Sequence, residues 1–149
     1  MSETDHFLAA TMPRYRQAET ALHNGDATPR KAMWSRTEPV TLFGAALSGS
    51  RWADIEPVFD RLEDTFSDCT SYENEIVAAG ASGNFAYIVA FEHTTASLHG
   101  APPRAYSLRV TTVFRRENGE WKVVHRHADP SPSGAADDLI AQLVVSDNS

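Results

Sequence analysis

Cysteine is all but missing from this chain: Cys69 is the only one in 149 residues. That excludes an internal disulfide framework and a cysteine-based zinc cluster. Long apolar runs are missing too, and none approaches the roughly 20 residues a membrane-spanning helix needs. The opening Met1-Ser-Glu-Thr-Asp5 is acidic and lacks the basic-then-apolar order of a signal peptide. A reducing cytoplasm and no membrane partner are the expectations that follow. Basic charge is scarce, with 13 Lys and Arg against 20 Asp and Glu and a net charge of −7. Nucleic-acid backbones are held by clustered Lys and Arg, so no nucleic-acid partner is expected. Arg115 and Arg116 form the one notable basic pair beyond the first third, and they flank a turn. There is no internal repeat and no linker rich enough to divide the chain.

The residues present describe an ordinary globular protein. Hydrophobic residues make up 42% and charged residues 22%, so a single core can form without staples at this length. One domain is expected over 1–149, with 130–149 as a loop-rich tail in which Leu139 to Val145 form a small closing element or dock on a neighbour.

Hydrophobic spacing divides the chain in two. Leu8, Met12, Tyr15 and Leu22 recur at helical spacing, with Pro13 beginning or kinking a helix. Gly25 stops it, and Thr28 and Pro29 read as the N-cap and first turn of a short second helix that ends near Trp34. Val40 to Phe43 reads as a short strand. Trp52, Ile55, Phe59, Leu62 and Phe66 mark one face of a third helix, with Pro57 near its start. Beyond Cys69 the pattern becomes β. Strands are expected over 70–79, 84–97, 104–116 and 120–128, separated by Gly- and Pro-bearing turns. Helices first and an antiparallel meander afterwards make an α+β arrangement.

Pairing decides which side chains share a face. A loop centred near Gly100-Ala101 places Glu92 opposite Arg109 and Phe91 opposite Val110. One face is then apolar (Phe85, Tyr87, Val89, Phe91, Leu108, Val110, Phe114) and should cover the helices. The last hairpin admits two registers. A two-residue turn at Asn118-Gly119 pairs Thr112 with His125 and Val110 with His127, so the histidines face the helices. A three-residue turn with Gly119 in a bulge pairs Thr111 with His125 and Arg109 with His127, which gathers both histidines with Glu92 and Arg109.

Several phrases carry a family resemblance: Asn24-Gly-Asp26, Trp34-Ser35, Val40-Thr-Leu-Phe-Gly44, and Leu108-Arg-Val-Thr through Arg115-Arg-Glu-Asn-Gly-Glu-Trp121 to His125-Arg-His-Ala-Asp129. With three helices before a long twisted sheet, the sequence over roughly 5–130 resembles the NTF2-like superfamily, in particular small bacterial SnoaL-like and ketosteroid-isomerase-like proteins. The resemblance implies a cone in which N-terminal helices pack on a curved antiparallel sheet. It also implies a deep pocket between them and a homodimer through the sheet's other face. The aspartate base and the tyrosine–aspartic acid oxyanion hole of steroid isomerases do not map onto this chain, although Tyr15 falls near the expected pocket. That fold hosts many reactions, so the resemblance alone names none.

The candidate chemistry centres on His125, His127 and Asp129, which share one strand face. Three readings are open: acid–base catalysis by an imidazole oriented by the carboxylate, metal ligation, and ordinary hydrogen bonding in a sheet or interface. Glu92 and Arg109 read as a cross-strand ion pair able to position substrate, with Thr112 and His93 as further pocket candidates. Trp34 and Phe43 read as lining of an apolar cavity or as core. His6, His23 and His99 read as surface residues, and Cys69 lacks a neighbouring base. The expectation is a domain binding a small hydrophobic ligand, without cofactor or metal. It would perform acid–base isomerisation, dehydration or cyclisation of a carbonyl compound, with catalytic His125, His127 and Asp129. The alternative is a non-catalytic dimerisation or ligand-sensing domain.

Overall fold

The computed structural model describes residues 1–44 and 47–131. The expected tail, from residue 132 on, and its closing element lie outside the described residues. Nine elements follow one another: α1 (Glu3–Leu22), α2 (Thr28–Met33), β1 (Thr41–Phe43), β2 (Ser48–Gly49), α3 (Trp52–Thr65), β3 (Phe66–Ser82), β4 (Phe85–Leu98), β5 (Arg104–Glu117) and β6 (Glu120–Pro130). The helices pack on a six-stranded curved, unclosed sheet of order β2-β1-β6-β5-β4-β3. This is the α+β cone expected from the sequence.

Ser2 caps α1 through a reciprocal pair of bonds with Asp5, and the helix runs on through Pro13. Pro13 lacks the N–H that would bond Ala9, but the apolar face on either side still reaches the core. Phe7, Met12, Tyr15, Ala18 and Leu22 are buried there. In α2 the N-cap is Ala27 rather than Thr28, and Thr28 is already helical. The Thr28 N–H donates instead to Asp26 Oδ1 at 3.0 Å. The core is closed by Phe59 of α3, Phe114 of β5 and the edge-to-face packing of Phe7 on Phe114 and Trp121.

Two registers differ from expectation, and both matter for the site. In β4–β5, Glu92 lies opposite Leu108 and Phe91 opposite Arg109. The turn is tight, with His99 and Gly100 both at positive φ, and it slips the pairing by one residue. A one-residue slip exchanges faces. Ala86, Ile88, Ala90, Glu92 and Thr94 therefore point inward and are buried. The large apolar residues of the other face look outward: Phe85 is 56% exposed and Tyr87 44%. Small inward residues leave room for the helices, which the bulky set would have filled.

The β5–β6 hairpin keeps the two-residue-turn register as far as Phe114–Val123 and follows neither expected register beyond it. Its turn has the expected two residues, Glu117 pairing Glu120, with Asn118 and Gly119 at positive φ. A register shift past Phe114–Val123 then leaves Val124 as an extra residue, and beyond it His125 pairs Val113 and His127 pairs Thr111. The bulge turns both histidines outward and Arg126 inward.

Candidate functional site

Between the helices and the inner face of the sheet lies a cavity of about 370 Å³. Leu42, Leu47, Val58, Leu62, Phe66 and Leu108 supply apolar wall. One side is polar and contains His23, Arg30, Glu92, Thr94, Tyr106 and Arg126.

Alternation along β6 places Arg126 across from Thr112, and β4 brings Glu92 to the same inner face. Arg126 Nη1 donates to Glu92 Oε2 at 3.0 Å and Nη2 to Oε1 at 3.2 Å, a two-pronged pair. Tyr15, from the middle of α1, donates to Glu92 Oε2 at 2.6 Å, accepts from Arg126 Nη1 at 2.5 Å, and lies 3.4 Å from Thr112 Oγ1. All four residues are buried. Burial drives the Tyr15 hydroxyl well above the usual phenol range, so it stays protonated. Burial works against the Arg126 charge, but Glu92 and Tyr15 outweigh it and hold the guanidinium well above its usual value. Ionised groups persist at this depth because each has a partner within hydrogen-bond reach.

A second pair stands beside the first. Arg30 of α2 donates to Glu19 of α1 through Nε at 3.0 Å and Nη2 at 2.5 Å. Burial would raise the Glu19 carboxyl, yet Arg30 and Arg126 bring it down to about 2.

His23 caps the end of α1, its ring tilted against Phe66 at 4.5 Å between ring centres. Its Nδ1 lies 2.7 Å from the Glu19 carbonyl oxygen. A carbonyl only accepts, so Nδ1 carries the hydrogen. Burial holds the ring below the usual histidine range, against the pull of Glu19. The neutral ring therefore presents a lone pair at Nε2, which accepts from the Tyr106 hydroxyl in a short contact. Burial, helped by Glu19, pushes Tyr106 up to about 12.

Of the residues singled out from the sequence, Tyr15, Glu92 and Thr112 come together on the inner face. Trp34 is core, packed edge-to-face on Phe59 at 5.4 Å. The other six stand on the outer face. Arg109 donates to Asp129 at 2.8 Å, so the expected Glu92–Arg109 pair gives way to Glu92–Arg126 and Arg109–Asp129. His93 bonds Ser107 at 2.7 Å and Glu75 at 3.0 Å. The His125 ring lies 2.7 Å from Thr41 Oγ1 through Nδ1, and Phe43 packs edge-on to His125 and His127, each at 5.7 Å. His127 and Asp129 border a shallow outer depression with Thr111 and Arg109. Asp129 is engaged by Arg109 and does not bond either imidazole among the described contacts. Among the described residues no three His, Cys, Asp or Glu stand where they could hold a metal ion.

Glu19, Arg30, Tyr106 and Arg126 were not among the sequence candidates, and His23, expected at the surface, is buried. A signal existed for two of them: Tyr15, Glu19 and His23 are spaced by four, a polar stripe on one helix face. Arg126 had one as well. Flanked by two histidines on a strand, it must face away from both.

Comparisons place this geometry in a family. A comparison with curated proteins finds no significant match. A nuclear transport factor 2 (NTF2-like) superfamily protein from Salmonella enterica serovar Typhimurium superposes with a TM-score of 0.70 at 20% identity, over 89% of this chain and 94% of that one. A candidate dehydratase of the NTF2-like family from Streptomyces avermitilis gives 0.68 at 17% identity, over 87% and 99%. A ketosteroid isomerase-like protein from Erwinia carotovora gives 0.67 at 17% identity, over 86% and 99%. At such identities these likenesses speak for the fold. The family model of the SnoaL-like domain matches residues 13–130, most of the chain, and on that match the protein belongs to the SnoaL-like family within the NTF2-like superfamily.

Proposed function

We propose that this domain binds a small, mainly apolar carbonyl compound in the cone cavity and moves a proton on it without a cofactor. One observation carries the reading: a neutral histidine, its Nδ1 fixed by a backbone carbonyl and its Nε2 facing a tyrosine hydroxyl, on the wall of an apolar cavity. An entering carbonyl oxygen offers Tyr106 an alternative acceptor. When the Tyr106 O–H turns to it, His23 Nε2 is released and can take a proton from the carbon next to the carbonyl. The C–H electron pair becomes the C=C bond of an enolate while the carbonyl π pair moves onto oxygen, where Tyr106 donates a hydrogen bond, and the proton stays on His23 Nε2. Return of the proton to another carbon isomerises the compound, and its delivery to a β-hydroxyl, which departs as water, dehydrates it. Glu92, Tyr15 and Thr112 build the buried frame that holds Arg126 against the cavity.

The outer face supports a homodimer through the sheet. Val77, Phe85 and Tyr87 are 61%, 56% and 44% exposed there, an apolar surface of the kind that marks an interface.

Exchange in heavy water tests the chemistry without knowledge of the substrate. A panel of cyclic ketones is incubated with the protein in D₂O, and deuterium uptake beside the carbonyl is read by mass spectrometry. Uptake above buffer that disappears in His23→Asn supports the proposal. No uptake on any member, or uptake indifferent to His23→Asn, refutes it.

A further inference from the structure

The cavity is electrically balanced, and its unused hydrogen-bonding capacity is of one kind. Arg30 and Arg126 each have side chains only 7% exposed, and each is matched by one carboxylate, Glu19 and Glu92. His23 is neutral, so the four charges cancel. A guanidinium has five N–H donors. Arg30 spends Nε and Nη2 on Glu19, and among the described residues Nη1 has no acceptor. Arg126 spends Nη1 and Nη2 on Tyr15 and Glu92, and Nε has no acceptor among the described residues. Both arginines line the cavity. An acceptor oxygen on a ligand in the cavity would engage them.

Building on the carbonyl-binding reading above, we propose that the cavity selects an uncharged ligand with an acceptor oxygen, a ketone, ester or amide with an apolar body, over the carboxylate of the same shape. Arg30 Nη1 and Arg126 Nε are the donors. A carboxylate would offer a better acceptor, but it would enter a balanced, mainly apolar cavity as an uncompensated charge. It would also be drawn to guanidiniums already engaged by Glu19 and Glu92, and would lie close to those two carboxylates. A neutral carbonyl fills the vacant donors without that cost.

A matched pair of probes tests this, cyclohexyl methyl ketone against cyclohexanecarboxylate, measured by isothermal titration at pH 8, where His23 is neutral. Wild-type protein should bind the ketone at least about tenfold more tightly. Removing one carboxylate leaves the cavity with an excess positive charge, so Glu19→Gln should narrow or reverse the preference. Glu92→Gln should act in the same direction and serves where Glu19→Gln does not fold. Wild-type binding of the carboxylate as tight as the ketone would overturn the inference and leave the cavity reading standing. An unchanged preference in both variants would overturn it as well. Failure of the ketone to bind any form of the protein would sink this inference together with the carbonyl-binding reading.

Discussion

Removing Arg126 should be among the most damaging single changes in the protein. Arg126→Met keeps the length and apolar stem of the side chain and deletes three donated bonds, at 2.5, 3.0 and 3.2 Å. Glu92, only 2% exposed, is then left with the Tyr15 hydroxyl as its donor on this face. Breaking one side of a buried ion pair costs roughly 3–5 kcal/mol, most of it the stranded charge. One consequence separates that cause from simple loss of packing: Glu92→Leu added to Arg126→Met should restore most of the loss, because an apolar pair replaces a charged one. Urea unfolding at a fixed protein concentration, followed through the buried Trp34 and Trp121, reads the effect. A loss under about 1 kcal/mol for Arg126→Met, or a double variant no more stable than the single one, would refute the argument.

Three further outcomes are expected. Because burial holds folded His23 below its usual range, the unfolded chain takes up a proton that the folded state refuses. Stability should therefore fall as pH drops below ~6.5 and level off once folded His23 also protonates. His125, held down by burial and by His127, adds in the same sense. The slope between pH 7 and 5 should thus weaken in His23→Asn and, separately, in His125→Asn, and a wild-type stability flat over that range would contradict this. Tyr106→Phe removes the hydrogen His23 accepts and keeps the ring that stacks on Phe66 at 6.0 Å. It should cost only about 1 kcal/mol in urea unfolding while abolishing deuterium exchange on ketones, whereas unchanged exchange would remove Tyr106 from the chemistry. Tyr87→Glu on the exposed outer face should leave the monomer's stability within about 0.5 kcal/mol but shift sedimentation from dimer to monomer, and a variant that still sediments as a dimer would place the interface elsewhere.

Much of the scaffold was legible in the chain itself. The 3.6-residue spacing of Leu8 to Leu22 and of Trp52 to Leu62, the proline in the first turn of α2 and the alternating strands after Cys69 are local patterns, and each element formed near where its pattern lay. The Asn118-Gly119 turn was equally local, since two successive residues at positive φ suit Asn and Gly. The motif His-Arg-His-Ala-Asp was also rightly read as a strand whose alternate residues part to opposite faces. Which face is which was not local. It depended on a tight turn at His99-Gly100 and on one extra residue, Val124, and nothing in the neighbouring sequence announces a bulge. Because the side-chain period of a strand is two, each one-residue slip exchanged an entire face. The slips turned Phe91, His125 and His127 outward and brought Glu92 and Arg126 together across β4 and β6. His23 and Tyr106, 83 positions apart, meet only because α1 ends over β5. The order of helices and strands was thus written in local periodicity. The cavity, its balanced charges and its His–Tyr pair were decided by long-range pairing, where a single residue of register outweighs any local preference.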